Sequence, residues 1–210
     1  MPQYTHNEIR ARVESSHRTF HQIEDGLTDF LKYVPFDYHH LEVHSPKLIT
    51  IILEIGPELI SSLELAVSLS DFGIGEFING DRCRTDLEDL WRKEKKLRSN
   101  ERSLTFKDYY CFLDKHLIPP LSSACTQLKG FDVYVMPFKE DREWWKNYNL
   151  LRHDKYNNVK AATLRTALKA AGALFWLTDH NSKMFFFEKP FSSSLFLSVE
   201  GIDVDSLKKL

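Results

Sequence analysis

SPKLITIILEIGPELISSLELAV, residues 45–67, predicts the central helix of a helical bundle. Ser45 is a suitable N-cap, and Pro46 takes the first helical position, where its missing N–H costs nothing. Apolar side chains then cover nearly every side of the helix: Leu48, Ile49, Ile51, Ile52, Ile55, Leu59, Ile60, Leu63 and Val67. A helix with so little polar surface has to be covered by several neighbours. Gly56-Pro57 within it predicts a kink rather than a break.

The helical spacing of apolar residues predicts those neighbours. A long helix is expected from about His6 to Tyr33, ending before Pro35. Residues Asp71–Gly80 are expected to form a loop. Two helices are expected after it, at about Thr85–Arg98 and Thr105–Leu117, followed by a short helix at Leu121–Leu128 and a strong helix at Val159–Thr178. The helix from Ser45 should pack against the helices near Tyr148 and Leu168.

A small β element completes the predicted fold. The alternation in GFDVYVMPF predicts a strand within Gly130–Phe138, and short runs at Phe185–Phe187 and Ser194–Val199 predict two more, joined by a turn near Lys189-Pro190. The expected fold is therefore mainly α: a helical bundle with short strands near 131–137 and 185–199. Residues 1–210 are expected to form a single helical-bundle domain.

Composition narrows the functional classes. The 210 residues are 42% hydrophobic and 28% charged, which is typical of a globular protein. A net charge of −2 argues against a protein that coats nucleic acid through an overall positive charge. A local basic patch that binds phosphate is still compatible with this net charge. Three widely spaced cysteines, Cys83, Cys111 and Cys125, favour buried thiols in a reducing compartment.

The chain carries no pattern typical of a targeting or membrane segment. The first residues, MPQYTHNEIRARVESSHR, are polar and lack the apolar core of a signal peptide. The most apolar stretch, Ala161–Leu177, is interrupted by Arg165 and Lys169, and its uninterrupted run is far shorter than the ~20 residues that a membrane span requires. We therefore expect a soluble, cytoplasmic protein with no membrane partner.

The main candidate site is WWKNYNLLRHD, residues 144–154. On a helical wheel Trp144, Trp145, Tyr148 and Leu151 form an apolar arc, with Arg142, Lys146, Asn149 and His153 along its flank. Asn149 and His153 stand at i and i+4, where they could converge on a phosphate, a base edge or a water, and histidine suits proton transfer near neutral pH. The alternative is that this stripe is only the solvated border of an amphipathic helix.

Arg152 falls inside the aromatic arc. A cation–π contact with an indole or a pair with a buried acid is the preferred interpretation, and a bound anion is the alternative. Trp176 lies on the same side of its helix as Arg165 and Lys169, an arrangement found in single-strand nucleic-acid binding. We favour a structural role for Trp176, either in helix packing or at a subunit interface.

Two further patterns are assigned no function. Metal-ligand spacing occurs on the first helix, and a second histidine cluster follows: Glu14, His17, His21 and Asp25, then His39, His40 and His44. Surface histidines are the commoner explanation, so no metal or cofactor is predicted. The basic run Arg92–Arg98 is interpreted as a solvated helix face.

The pairing of YNLLRHD, Tyr148–Asp154, with a following Ala/Leu-rich helix resembles the C-terminal half of HEPN-like proteins, the higher eukaryotes and prokaryotes nucleotide-binding superfamily. It is also similar to uncharacterised bacterial proteins with a WWxxYNxxKHD-type segment. The resemblance covers roughly Arg142–Thr178. It implies a helical bundle that is often dimeric. Many members of the superfamily are metal-independent RNases, whose active-site motif is an Arg, a polar residue, a short spacer and a His. That spacing is not reproduced, because Arg152 and His153 are adjacent.

The resemblance implies an RNA- or nucleotide-binding bundle, non-catalytic or weakly catalytic, that forms a homodimer through its C-terminal helices. His153 and Asn149 are the candidate catalytic residues, and Arg142, Lys146 and Arg152 the candidate ligand-binding residues. Two other functions stay open: a metal-independent endoribonuclease with His153 as acid or base, and a dimerising protein-interaction module.

Overall fold

Six α-helices and three short strands make up the part of the chain that the computed structural model describes, residues 4–70, 80–100, 102–139, 142–186 and 191–199. The helices are α1 (His6–Tyr33), α2 (Pro46–Ser70), α3 (Gly80–Arg98), α4 (Phe106–His116), α5 (Glu143–His153) and α6 (Leu164–Phe186). The strands are β1 (Cys125–Leu128), β2 (Tyr134–Val135) and β3 (Phe196–Val199), which form one antiparallel sheet in the order β2-β1-β3. The predicted mainly helical fold with a small β element is confirmed.

Helix α2 is the centre of this arrangement. The predicted start is confirmed, since the Ser45 hydroxyl accepts the backbone N–H of Leu48 at 3.2 Å and Pro46 is the first helical residue. The helix runs through Pro57 without a break. It contacts α1, α4, α5 and α6, so the predicted packing against the helices near Tyr148 and Leu168 is also confirmed. Its buried apolar side chains belong to one continuous core.

The ends of the other helices follow local capping signals. Helix α1 has the predicted bounds, and its first turn is fixed by a capping box between Thr5 and Glu8. Thr105 caps α4 as predicted, in a second box with Asp108. Helix α3 begins at Gly80, earlier than expected. The predicted loop at 71–80 otherwise lies outside the described residues.

Helix α6 differs from the prediction at both ends. Val159–Ala161 forms a separate 3₁₀ turn, and the hydroxyl of Thr163 accepts the N–H of Thr166 at 3.1 Å, so the helix begins only at Leu164. At the other end it continues to Phe186, so the predicted strand at 185–187 is wrong for its two described residues. Their helical periodicity continues that of the preceding residues, and both rings are partly buried against the core.

The sheet uses a segment that had been predicted as a helix. Leu121–Ser123 is a 3₁₀ turn and β1 follows it, so the expected helix at 121–128 is wrong. The reason is a long-range pairing: Cys125 lies opposite Val199, and Leu128 opposite Phe196. The predicted strand in 130–138 shortens to β2, and the strand in 194–199 is confirmed as β3. The predicted turn near 189–190 lies outside the described residues.

Two glycines let side chains of a facing element pack directly against the backbones of α2 and α6. A Cβ atom added to Gly56 of α2 would lie 2.0 Å from Cε2 of Tyr148 on α5. A Cβ added to Gly172 of α6 would lie 3.0 Å from Oγ1 of Thr126 and from Cγ1 of Val135 in the sheet. At both positions a side chain of the facing element fills the space that the Cβ atom of a larger residue would need. Glycine is therefore required for this packing.

A buried carboxylate ties the segment before β3 to α1. The side chain of Glu24 is 3% exposed, and its Oε1 accepts the Ser193 hydroxyl and the backbone N–H groups of Ser194 and Leu195, the latter two at 2.8 and 2.9 Å. Nδ1 of His21 lies 3.3 Å from Oε2. Burial alone would raise the pKa of Glu24, but these hydrogen bonds outweigh it and lower the pKa below its usual value.

We expect Gly56→Ala to destabilise the protein by about 1 to 3 kcal/mol, because the new methyl group would overlap the Tyr148 ring. Urea unfolding followed by circular dichroism measures the loss. Gly26→Ala in α1 is the matched control, since its nearest neighbours would lie 3.8 Å away and a helical alanine is favourable there. Equal stability of the two variants would contradict the close packing of α5 on α2.

We expect Glu24→Gln to cost about 1 to 3 kcal/mol at neutral pH, because a neutral amide oxygen accepts the three hydrogen bonds at Oε1 more weakly than the carboxylate oxygen does. The folded-state pKa is lowered, so the contribution of Glu24 is present above its unfolded pKa and is lost as the pH falls through its folded pKa. Urea unfolding from about pH 7 to about pH 3 should therefore show a smaller loss of stability for Glu24→Gln than for the parent chain. Glu14→Gln, on the exposed side of α1, should retain the full pH dependence.

Candidate functional site

A groove of about 860 Å³ lies between the N-terminal half of α4 and the outer flank of α5. Its described lining consists of Ile60, Ser103, Leu104, Thr105, Phe106, Lys107, Tyr110, Phe138, Arg142, Trp145, Lys146, Tyr148, Asn149 and Arg152. Three helices therefore contribute: α2 through one residue, α4 with the segment before it, and α5 with Phe138 and Arg142 from the segment before it. The volume falls within the range of about 300 to 1,000 Å³ found for small-molecule sites.

The orientation of α5 explains why this flank is open. Trp144 and Leu151 are buried, and Nε1 of Trp144 donates to the carbonyl oxygen of Pro137 at 2.7 Å. Tyr148 fits against Gly56 on the neighbouring side. These anchors fix the rotation of the helix, so Trp145 and Asn149 come to line the groove.

Aromatic rings form a continuous surface in the groove. Phe106 of α4 stacks on Trp145 of α5 with centroids 4.3 Å apart and an interplanar angle of 22°. Trp145 in turn lies 4.9 Å from the ring of Tyr148. Trp145 and Tyr110 are half-buried, whereas Phe106 and Tyr148 are buried. The exposed parts of these rings can hold a planar ligand by stacking.

The charged residues of this lining are basic: Lys107, Arg142, Lys146 and Arg152. No acidic side chain lines the groove among the residues that the structure describes. Two of the cations lie over rings, since Cζ of Arg142 is 4.3 Å from the centroid of Tyr110 and Cζ of Arg152 is 5.9 Å from that of Tyr148. The guanidinium of Arg152 thus stacks on a tyrosine rather than on an indole.

The positive potential of the groove comes from side chains rather than from the end of α4. The carboxylate of Asp108 already accepts the N–H of Thr105 at 2.9 Å in the capping box. Tyr110 adds no negative charge, because burial raises its pKa and keeps the phenol neutral. Its hydroxyl donates to the carbonyl oxygen of Phe138 at 3.4 Å.

The backbone of Arg142 is strained where it enters the groove. This residue precedes α5 with φ at 34°, in the left-handed region that costs a non-glycine residue about 1 to 2 kcal/mol. The conformation places the guanidinium over Tyr110 at the wall of the groove. Backbone strain of this kind is concentrated at ligand-binding positions.

The structure brings four of the five candidate residues around the groove. Arg142, Lys146, Asn149 and Arg152 line it, and Nδ2 of Asn149 donates to the carbonyl oxygen of Trp145 one turn earlier. His153 is exposed and is not part of the described lining. Asn149 and His153 therefore do not converge on the groove, although they share a helix flank.

The α4 side of the groove was missed by sequence reasoning. Phe106 and Tyr110 had the periodicity of core residues, and Lys107 belonged to no motif. The usable signal was the cap at Thr105, because it fixes which residues form the first turn of α4. Nothing in the sequence shows that this turn faces α5.

Trp176 is buried with 5% exposure, so neither nucleic-acid contact nor a subunit interface at this residue is supported. Its indole stacks on His180 with centroids 4.8 Å apart and lies edge-on to Phe138. Arg165, on the same helix, pairs with Glu42 at 2.9 Å.

Three residues of the first histidine pattern make contacts within the fold. His17 and His21 pack on the ring of Phe191, at 4.5 and 5.0 Å, and Glu14 pairs with Arg10. Among the described residues no group of three or more His, Cys, Asp or Glu side chains is arranged to hold a metal ion. Cys83 and Cys125 are buried as expected, but Cys111 is exposed.

Within the described ranges, none of the helices has the length and apolar character needed to cross a membrane.

We expect iodide to quench Trp145 selectively. Trp91, Trp144 and Trp176 are buried, whereas Trp145 is half-buried beside basic groups that concentrate anions. Relative to free N-acetyltryptophanamide, fluorescence quenching should be stronger with iodide than with caesium, and Trp145→Phe should remove most of the difference. Equal relative quenching by both ions would contradict a positive potential in the groove.

Comparison with known proteins identifies no relative: no family model, no curated protein and no solved structure matches the chain. The groove between α4 and α5 is therefore the main structural basis for assigning a function.

Proposed function

We propose that this chain is a HEPN-like helical bundle that binds RNA or a nucleotide in the groove between α4 and α5, without catalysis or with weak catalysis. The observation that carries the proposal is the composition of the groove. It combines four basic side chains with half-exposed aromatic rings, and no acidic side chain stands among its described lining residues.

Each part of that composition matches one part of a nucleotide. Lysine and arginine bind phosphate oxygens, and their positive charge replaces condensed counterions. The exposed parts of the Trp145 and Tyr110 rings offer surface for a base, since base–aromatic stacking contributes about 1 to 3 kcal/mol per base. The side chains of Ser103, Thr105 and Asn149 add hydrogen-bonding groups at the same surface.

The position of His153 favours binding over cleavage. A general acid or base has to reach the atom whose proton it transfers, within a hydrogen bond or through one water. His153 is exposed and is not part of the described lining, so a ligand seated in the groove would not meet its imidazole there. Among the candidate functions, the groove therefore supports an RNA or nucleotide binder better than a His153-dependent endoribonuclease.

The proposal includes a cytoplasmic protein that forms a homodimer, as the HEPN resemblance implies. In α6, 18 of the 23 residues are buried within one chain. A dimer interface therefore needs surfaces other than the sides of α6 that pack on α2 and the sheet. Two exposed apolar side chains, Leu150 in the last turn of α5 and Tyr156 in the turn after it, offer such a surface.

We expect the double variant Lys107→Gln, Arg152→Gln to bind single-stranded RNA about tenfold or more weakly, because both cations are exposed in the groove and each loses one phosphate contact. Fluorescence anisotropy of a labelled RNA measures the affinity. Lys47→Gln, Lys160→Gln is the matched control: it removes the same charge from exposed positions, and Lys47 lies about 20 Å from Ile60 along α2. Equal affinity of the two variants, or no binding by the parent chain, would contradict the proposal.

The same assay separates binding from cleavage. His153→Ala should bind RNA as the parent chain does, and gel electrophoresis should show intact RNA after incubation with either protein. Cleavage that persists in EDTA and disappears in His153→Ala would instead select the endoribonuclease.

A further inference from the structure

The basic character of the groove continues along the chain onto α3. Residues 92–107, RKEKKLRSNERSLTFK, contain seven basic and two acidic side chains, a net charge of +5 in a chain whose total is −2. The first part of this stretch is the C-terminal half of α3, and the last part forms one wall of the groove.

The two parts are also adjacent in space. The backbone N–H of Arg102 donates to the carbonyl oxygen of Leu97 at 2.9 Å, and the next residue, Ser103, is the first of the α4 side to line the groove. Nζ of Lys93 contacts the carboxylate of Asp108, whose neighbour Lys107 lines the groove. The end of α3 therefore lies beside the first turn of α4.

The basic side chains in the C-terminal half of α3 are exposed to solvent. Three acidic side chains beside them form ion pairs. Arg92, Lys93, Lys95, Lys96 and Arg98 are all exposed. Glu94 is buried and pairs with Arg98, Asp89 pairs with Arg92, and Asp108 pairs with Lys93. Within the described part of the chain Lys95 and Lys96 form no ion pair.

We propose that the ligand is a single-stranded oligonucleotide rather than a mononucleotide, and that its backbone leaves the groove across the C-terminal half of α3, where Lys95 and Lys96 bind phosphates. This inference rests on the proposed function of the groove. The groove itself holds the stacked base, whereas α3 adds charge without aromatic surface. Its contribution should therefore depend on strand length and on salt, and little on base sequence.

The test compares two ligands and three double variants. Adenosine monophosphate occupies the groove alone, and an oligoadenylate of about ten nucleotides can also reach α3. Lys95→Gln, Lys96→Gln should bind the mononucleotide as the parent chain does but the oligonucleotide several-fold more weakly. The slope of log affinity against log salt for the oligonucleotide should fall by about 1.4, at about 0.7 for each lost phosphate contact on a single strand. Lys47→Gln, Lys160→Gln, with Lys47 at the start of α2 and Lys160 in the 3₁₀ turn before α6, should match the parent chain with both ligands.

The outcomes separate the two proposals. One result would contradict only the further proposal. In it, the variant Lys95→Gln, Lys96→Gln binds the oligonucleotide with parental affinity and salt slope, while the variant Lys107→Gln, Arg152→Gln binds it more weakly. The strand then does not cross α3, but binding in the groove is supported. Equal affinity of the parent chain for both ligands also overturns the path. If the parent chain binds neither ligand, both proposals fail.

Discussion

The contact between Gly56 and Tyr148 is the constraint on which the site depends. Helix α5 can approach α2 only because position 56 has no side chain, since a Cβ there would lie 2.0 Å from the tyrosine ring. With Tyr148 and Trp144 held in the core, the rotation of α5 is fixed and its remaining flank has to face α4. A small residue in the middle of an otherwise apolar central helix thus determines which side chains of α5 are available to a ligand.

That geometry also divides one aromatic cluster between two roles. Trp144 is buried and donates its indole N–H to a backbone carbonyl, so its ring serves packing. Trp145 stacks on Phe106 but stays half-buried, which leaves part of its surface for a ligand. Arg142 and Arg152 lie over tyrosine rings at the same surface. Cations held against aromatic faces lose less conformational entropy when they bind an anion than free side chains do.

Sequence reasoning succeeded where the signal is local and failed where the partner is distant. Ser45-Pro46 marks the start of α2 by itself, and the apolar arc of α5 follows from helical spacing. The strand Cys125–Leu128 looked helical because its pairing with β3 involves residues some seventy positions later. Trp176 lies on the same side of the helical wheel as Arg165 and Lys169, yet it is buried because α6 is covered on nearly all sides. The contribution of α4 to the groove could not be predicted either. Phe106 and Tyr110 have the spacing of core residues, and local spacing does not show that they face α5.

The distribution of charge determines how such a groove could recognise RNA. The stretch 92–107 carries +5 and the chain −2, so the other residues sum to −7. A protein with this balance does not attract a polyanion from a distance, because the Debye length is about 8 Å at physiological ionic strength. Attraction begins only where a strand comes close to α3 and the groove, and the neighbouring acids Asp89, Glu94 and Asp108 are neutralised there by their own ion pairs. Binding should therefore depend on contacts at this one surface, with association slower than for a strongly basic protein.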